Sequence, residues 1–181
     1  MTPAASPSAR GQHALAFDSV RGKTVLFGGN ANGGTYFSDT WEWDGTTWTQ
    51  MNPAASPSAR GQHALAFDSV RGKTVLFGGM AASFGGPPHF SDTWEWNGTT
   101  WVQQTPAASP TGRIQGALVY DSARGRTVLF GGVSRTNGRL SDTWEWDGFT
   151  WTDLTPAPKP TGRYRHALAY DSARVDKSFG G

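Results

Sequence analysis

The sequence predicts an all-β protein assembled from four-stranded antiparallel units, three complete and a fourth half-built. Three observations lead there. The 181 residues include 24 Gly and 11 Pro, and no stretch carries a helical apolar period. The chain repeats itself: "PAASPSARGQHALAFDSVRGKTVLFGG" at Pro3–Gly29 recurs letter for letter at Pro53–Gly79. Each copy then closes on a tryptophan cluster, "SDTWEWDGTTW" from Ser38, "SDTWEWNGTTW" from Ser91 and "SDTWEWDGFTW" from Ser141.

Equivalent aspartates, Asp18, Asp68, Asp121 and Asp171, are spaced 50, 53 and 50 apart. The chain therefore reads as one domain over 1–181, with repeats 1–50, 51–103 and 104–153 and a half repeat 154–181. A period near 50 implies one supersecondary unit that buries its faces against its neighbours. Near-identical copies imply recent duplication, since repeats three and four have drifted.

Four strands are expected in each unit. In "HALAFD" the large His13, Leu15 and Phe17 alternate with Ala14 and Ala16, which gives one face of bulk and one of methyls. "DSVRGK" supplies a turn in which Gly22 takes positive φ. "KTVLFGG" is a β-branched and aromatic strand that ends at Gly28–Gly29. In "DTWEW", Trp41 and Trp43 share a face and Glu42 points away; Asp44–Gly45 is a hairpin signal and "TTWTQ" returns. Proline-rich "NPAASPSAR" joins one unit to the next, because Pro cannot continue a ladder.

The order Arg-x-x-His, hydrophobic strand, Asp, hydrophobic-Gly-Gly, Asp-x-Trp-x-Trp-Asp/Asn-Gly, Trp resembles the kelch repeat of β-propellers, and within it the bacterial galactose-oxidase-like type. The resemblance covers essentially the whole chain. It implies a kelch-type β-propeller segment: one four-stranded blade per repeat, arranged radially, with the first strand nearest a central channel. On that reading Gly28, Gly29, Gly78, Gly79, Gly131 and Gly132 allow neighbouring blades to approach where a Cβ would clash. Trp41, Trp43, Trp48, Trp94, Trp96, Trp101, Trp144, Trp146 and Trp151 fill the gaps between twisted sheets. The last strand, "VDKSFGG", is shorter than its sisters and interrupted by Asp176 and Lys177, so ring closure within one chain is not expected. Open blade edges invite partners, including a second copy of the chain.

Several chemistries are excluded or unsupported. With no Cys, the cysteine-crosslinked tyrosine and copper chemistry of galactose oxidase cannot form. No HExxH, G-x-S-x-G, P-loop or G-x-G-x-x-G pattern occurs. His13, His63 and His166 share one repeat position, where they are expected to pack the head of the first strand, although symmetric histidines facing a channel can bind a metal; repeat three has Gly116 there. Glu42, Glu95 and Glu145 are equivalent copies, one per blade, and do not form a catalytic pair. No cofactor or metal is expected. The formal charge of +2 has no basic stripe behind it, so nucleic-acid binding is not expected. "MTPAASPSARGQH" has no apolar h-region and no run approaches the ~20 residues of a membrane span, so neither signal peptide nor membrane association is expected, and the compartment is not legible.

Two features are candidate binding elements. Arg10, Arg60, Arg113 and Arg163 precede each first strand and offer a fork suited to carboxylates; the alternative is a buried pair with Asp39, Asp92 or Asp142. The loops after each Gly-Gly, residues 30–37, 80–90 and 133–140, have eight, eleven and eight residues and vary in sequence. Phe84, His89, Phe90 and Arg135 are the contact residues expected on them. The expected function is a non-enzymatic scaffold that presents loops to a protein or carbohydrate partner. The alternatives are a piece of a kelch-fold carbohydrate-active enzyme resembling a sugar epimerase, and an amplified repeat with no selected ligand.

Overall fold

The computed structural model describes residues 6–32, 34–81 and 89–172. It is all-β, with no helix among the described residues and hence none long and apolar enough to cross a membrane. Each repeat forms one four-stranded antiparallel sheet in simple up-and-down order. The first sheet comprises β1 (Ala14–Asp18), β2 (Lys23–Phe27), β3 (Thr40–Trp43) and β4 (Trp48–Met51). The second has β5 (Ala64–Asp68), β6 (Lys73–Phe77), β7 (Thr93–Trp96) and β8 (Trp101–Gln104). In the third, β9 (Ala117–Asp121) and β10 (Arg126–Phe130) are followed by a small hairpin, β11 (Val133–Ser134) and β12 (Gly138–Arg139), before β13 (Thr143–Trp146) and β14 (Trp151–Asp153) complete the sheet. Strands β4 and β8 run one residue past the expected repeat boundaries at 50 and 103.

Local chemistry fixes the turns. Asp18 accepts hydrogen bonds from the Val20 and Arg21 amides, both at 3.0 Å, and Gly22 takes φ 64°. The Asp-Gly signal makes a four-residue connection rather than the shortest hairpin. Trp43 pairs with Trp48, and the Asp44 carboxylate accepts from the Thr46 and Thr47 amides, both at 2.8 Å. Those donors hold the Asp44 carboxyl below the usual carboxylate range. Asn97 takes the same role in the second sheet with a neutral amide oxygen.

The sheets converge at their first strands β1, β5 and β9 and are filled outward by aromatic side chains. Ala16, Val25 and Phe27 of the first sheet pack against Leu65, Phe67, Leu76, Trp96 and Trp101 of the second. Val75 and Phe77 repeat this against Leu129, Trp146 and Trp151. Each sheet thus has a leading face of large residues and a trailing face of alanine and valine with one phenylalanine. The pleat produces this separation, because alternate residues face opposite ways.

The paired glycines make the approach geometrically possible. A Cβ on Gly28 would stand 2.5 Å from the Arg60 carbonyl oxygen of the next sheet, and one on Gly78 would stand 2.5 Å from that of Arg113. Both glycines also have positive φ, 62° and 75°, where an L side chain is strained. The neighbouring Gly29 donates its amide to Arg60 O at 2.8 Å, so inter-sheet backbone bonding begins where the side chains vanish.

Residues 154–172 lie along the third sheet. The Gly132 amide donates to Arg163 O at 2.8 Å, and Arg163 N donates to Leu140 O at 3.1 Å. His166–Tyr170 carries no strand pairing among the described residues. Its expected partner, from Val175 onward, lies outside them, as does Phe84.

Candidate functional site

All nine tryptophans are buried or half-buried, and the sheet order dictates what their indole N–H groups meet. Trp41, Trp94 and Trp144 donate to Asp39, Asp92 and Asp142 of their own repeat at 2.7–2.8 Å. Trp96 and Trp146 donate across the sheet boundary to Glu42 and Glu95, both at 2.9 Å. Trp101 and Trp151 donate to Thr40 and Thr93 at 2.9 and 2.8 Å. Of the three glutamates that alternate with tryptophan, Glu42 and Glu95 are therefore acceptors for the next sheet. Each of the three is also paired with an arginine from its own turn: Arg21 with Glu42, Arg71 with Glu95 and Arg124 with Glu145. These three arginines were not singled out by motif; the signal was present, since each lies three residues after a repeat-equivalent aspartate.

The four arginines that precede the first strands are placed at one end of the sheets, beside the Gly-Gly pairs. Arg60 is wholly buried. Its guanidinium makes a bidentate pair with Asp92 at 2.6 and 2.8 Å, and its remaining hydrogens reach Gly78 O, Ser58 O and Ser58 Oγ. All five donors are used. Arg10 and Arg113 hold Asp39 and Asp142 in the same way. Burial alone would raise the Asp39, Asp92 and Asp142 carboxyls; the arginine forks and indole donors outweigh it and hold all three below the usual range. Arg163 differs. It is exposed, and among the described residues its fork hydrogen-bonds only to Thr161.

The same arginines anchor the loops. Arg10 lies over the Phe37 ring at 4.1 Å, and Arg60 over Phe90 at 4.0 Å. Each loop is closed at its root by one identical hydrogen bond, Phe37, Phe90 and Leu140 donating to Gly29, Gly79 and Gly132 at 2.9 Å. His89 Nδ1 lies 3.0 Å from Val133 O, so the second loop touches the third. Arg135 is exposed at the tip of the third loop.

The repeated histidines, His13, His63 and His166, each follow one of these arginines by three residues. His63 is buried beside Arg60, with its ring edge-on to Phe27 at 5.5 Å. Burial first, and the Arg60 charge second, push its pKa down to about 3. Burial also lowers His13 and His166. Among the described residues no three His, Asp or Glu side chains form a cluster that could hold a metal ion.

A neutral buried imidazole couples stability to pH. The unfolded chain takes up a proton below pH ~6.5 and the folded His63 does not until about 3, so stability is full above 6.5 and falls as pH drops through that window. Between pH 7 and pH 5, His63 is expected to cost about 2 kcal/mol. Denaturant midpoints of the wild type and His63→Leu at both pH values check this. A wild-type pH slope no steeper than that of the variant refutes it.

No curated protein matches the chain. The model of the KLHDC2/KLHL20/DRC7 kelch-repeats domain matches residues 1–181. That match supports the kelch repeat itself and does not extend to the bacterial galactose-oxidase-like type expected above. With one four-stranded antiparallel sheet per repeat, glycine-mediated approach of adjacent sheets and tryptophan-filled wedges, the chain belongs to the kelch-repeat domain family, as a partial β-propeller.

Proposed function

We propose that this chain is a non-enzymatic scaffold whose loops 30–37, 80–90 and 133–140 form one protein-binding rim. The observation that carries the reading is the contrast within each loop. The roots are closed by the same backbone hydrogen bond, and the first two rest on the arginines Arg10 and Arg60, while the tips differ in length and chemistry. A rigid root with a variable tip is how scaffolds present recognition segments. The register of the first three strands, the same in each sheet, brings the roots of all three loops to the same end of their sheets. The engaged forks of Arg10, Arg60 and Arg113 favour a structural duty for those residues and leave recognition to the loops. Arg135 and Arg139, both exposed on the third loop, favour a partner segment bearing carboxylates.

The test is a loop exchange. Residues 80–90 are replaced by the eight residues of 30–37, and Arg135→Glu and Arg139→Glu are added in a second variant. Both should keep the wild-type β-sheet circular dichroism and lose the proteins that the wild type captures from a lysate. Capture that is unchanged in both variants overturns the reading. Wild-type binding on a glycan array, with no protein captured, would replace the protein partner by a carbohydrate.

A further inference from the structure

Identical strands in this chain meet different surroundings, and the difference defines an unfilled interface. Leu15 and Phe17 are 49% and 59% exposed, whereas Leu65 and Phe67, the same letters in the same register, are 8% and 9% exposed. What covers the second pair is the trailing face of the first sheet, Ala14, Ala16, Val25 and Phe27. At the other end, Leu168 and Tyr170 line a cleft against Val119 and Val128 of the third sheet, and the Tyr170 hydroxyl accepts from the Ala123 amide at 3.2 Å. Ala167 and Ala169, the methyls of that segment, border the same cleft and are exposed, whereas Leu168 and Tyr170 are half-buried. The described chain thus carries an uncovered leading face of bulk and an uncovered trailing face of alanine.

A backbone ladder runs through the same contacts and has the same two ends. The Gln62 amide donates to Gln12 O at 2.8 Å, Gln115 to Gln62 O at 2.9 Å, and Arg165 to Gln115 O at 3.1 Å. All four residues hold the left-handed conformation, with φ of 59°, 61°, 57° and 57°, a strain tolerated because the stack demands it. Glutamine side chains follow the ladder, Gln62 Nε2 donating to Gln12 Oε1 at 3.0 Å. Among the described residues the Gln12 amide donates to no carbonyl and the Arg165 carbonyl accepts from no amide.

We propose that a second copy of this chain docks head-to-tail, with Leu15 and Phe17 of one copy on Ala167 and Ala169 of the other. The Gln12 amide donates to the Arg165 carbonyl of that copy. The docking continues an interface the chain already makes between its own sheets, with the same bulk-on-methyl fit and the same direction of hydrogen bonding. A face-to-face pairing lacks both features, because it sets bulk on bulk and donor on donor. Such a contact is heterologous, so association does not stop at two unless the ring closes.

Sedimentation velocity tests this on the whole chain from about 1 to 100 µM, a range that captures weak self-association. The wild type is expected to grow beyond its 19.4 kDa monomer as concentration rises. Phe17→Glu and Ala169→Arg, each at an exposed position, are each expected to weaken association at least ~10-fold while keeping the wild-type circular dichroism. Mixed in equal amounts, the two variants retain one intact leading face and one intact trailing face between them, and are expected to form a 1:1 dimer and nothing larger. A wild type that stays monomeric throughout overturns the proposal. So does an Ala169→Arg variant that associates like the wild type, or a mixture that remains monomeric. These outcomes do not involve the loop rim, so they are separate from the loop-exchange result.

Discussion

Replacing Arg60 by Ala is expected to destabilise the fold by about 3–5 kcal/mol, the loss typical of breaking a buried ion pair from one side. The substitution leaves the Asp92 carboxylate with the Trp94 indole as its remaining side-chain donor, and it leaves the Gly78 and Ser58 carbonyls unpaired. It also removes the cation that the Phe90 ring rests on, so the second loop loses its root. Arg60→Lys is expected to recover little. A point charge cannot serve two carboxylate oxygens and two carbonyls from one fork. Arg163→Ala, at the equivalent position but exposed and with no aspartate partner among the described residues, is expected to cost less than about 0.5 kcal/mol. Denaturant midpoints of the three variants at pH 7 decide it. Equal losses at Arg60 and Arg163 would show that the aspartate pair is not what makes the position matter.

The contrast between those two arginines shows what the letters carry. The faces of the strands were legible: alternation put Trp41 and Trp43 on one side and Glu42 on the other, and the sheets are built so. The paired arginine and aspartate were legible as a choice between ligand and structure, because the residue types fit both. Context was not legible. Glu42 points away from its own tryptophans, and its partner is an indole 54 residues further on. The left-handed φ of Gln12 has no sequence signal, since glutamine seldom adopts it; the inter-sheet ladder imposes it. Loop length did not foretell conformation either. Residues 30–37 and 133–140 are equally long, and the latter contains the β11–β12 hairpin. Nor can identical letters announce that Phe17 is exposed and Phe67 buried; only the neighbouring sheet distinguishes them.

The same distinction predicts the second large effect. Trp101→Ala is expected to cost about 3–5 kcal/mol, within the range for deleting a large buried aromatic. Trp101 is 1% exposed, meets Phe27 edge-on at 5.2 Å and Trp96 at 5.5 Å, and satisfies the Thr40 hydroxyl at 2.9 Å. Its removal opens a cavity between two sheets and leaves a buried hydroxyl without its donor, and both terms oppose folding. Trp48 occupies the same place in the first sheet, after the same Gly-Thr-Thr and opposite the same Trp. It stacks on Trp43 at 5.5 Å but has no preceding sheet among the described residues to fill against. With local sequence and strand position matched, Trp48→Ala is expected to lose only the stacking and partial burial, roughly 1 kcal/mol. Chemical denaturation of both variants, at dilutions where each chain stands alone, measures the difference directly. Because intrinsic β-propensity and the hairpin are common to both sites, that difference isolates what one sheet gains from the next. If Trp48→Ala were as costly as Trp101→Ala, the tryptophans would be stabilising their own hairpins, and the packing between sheets would not be what holds this fold together.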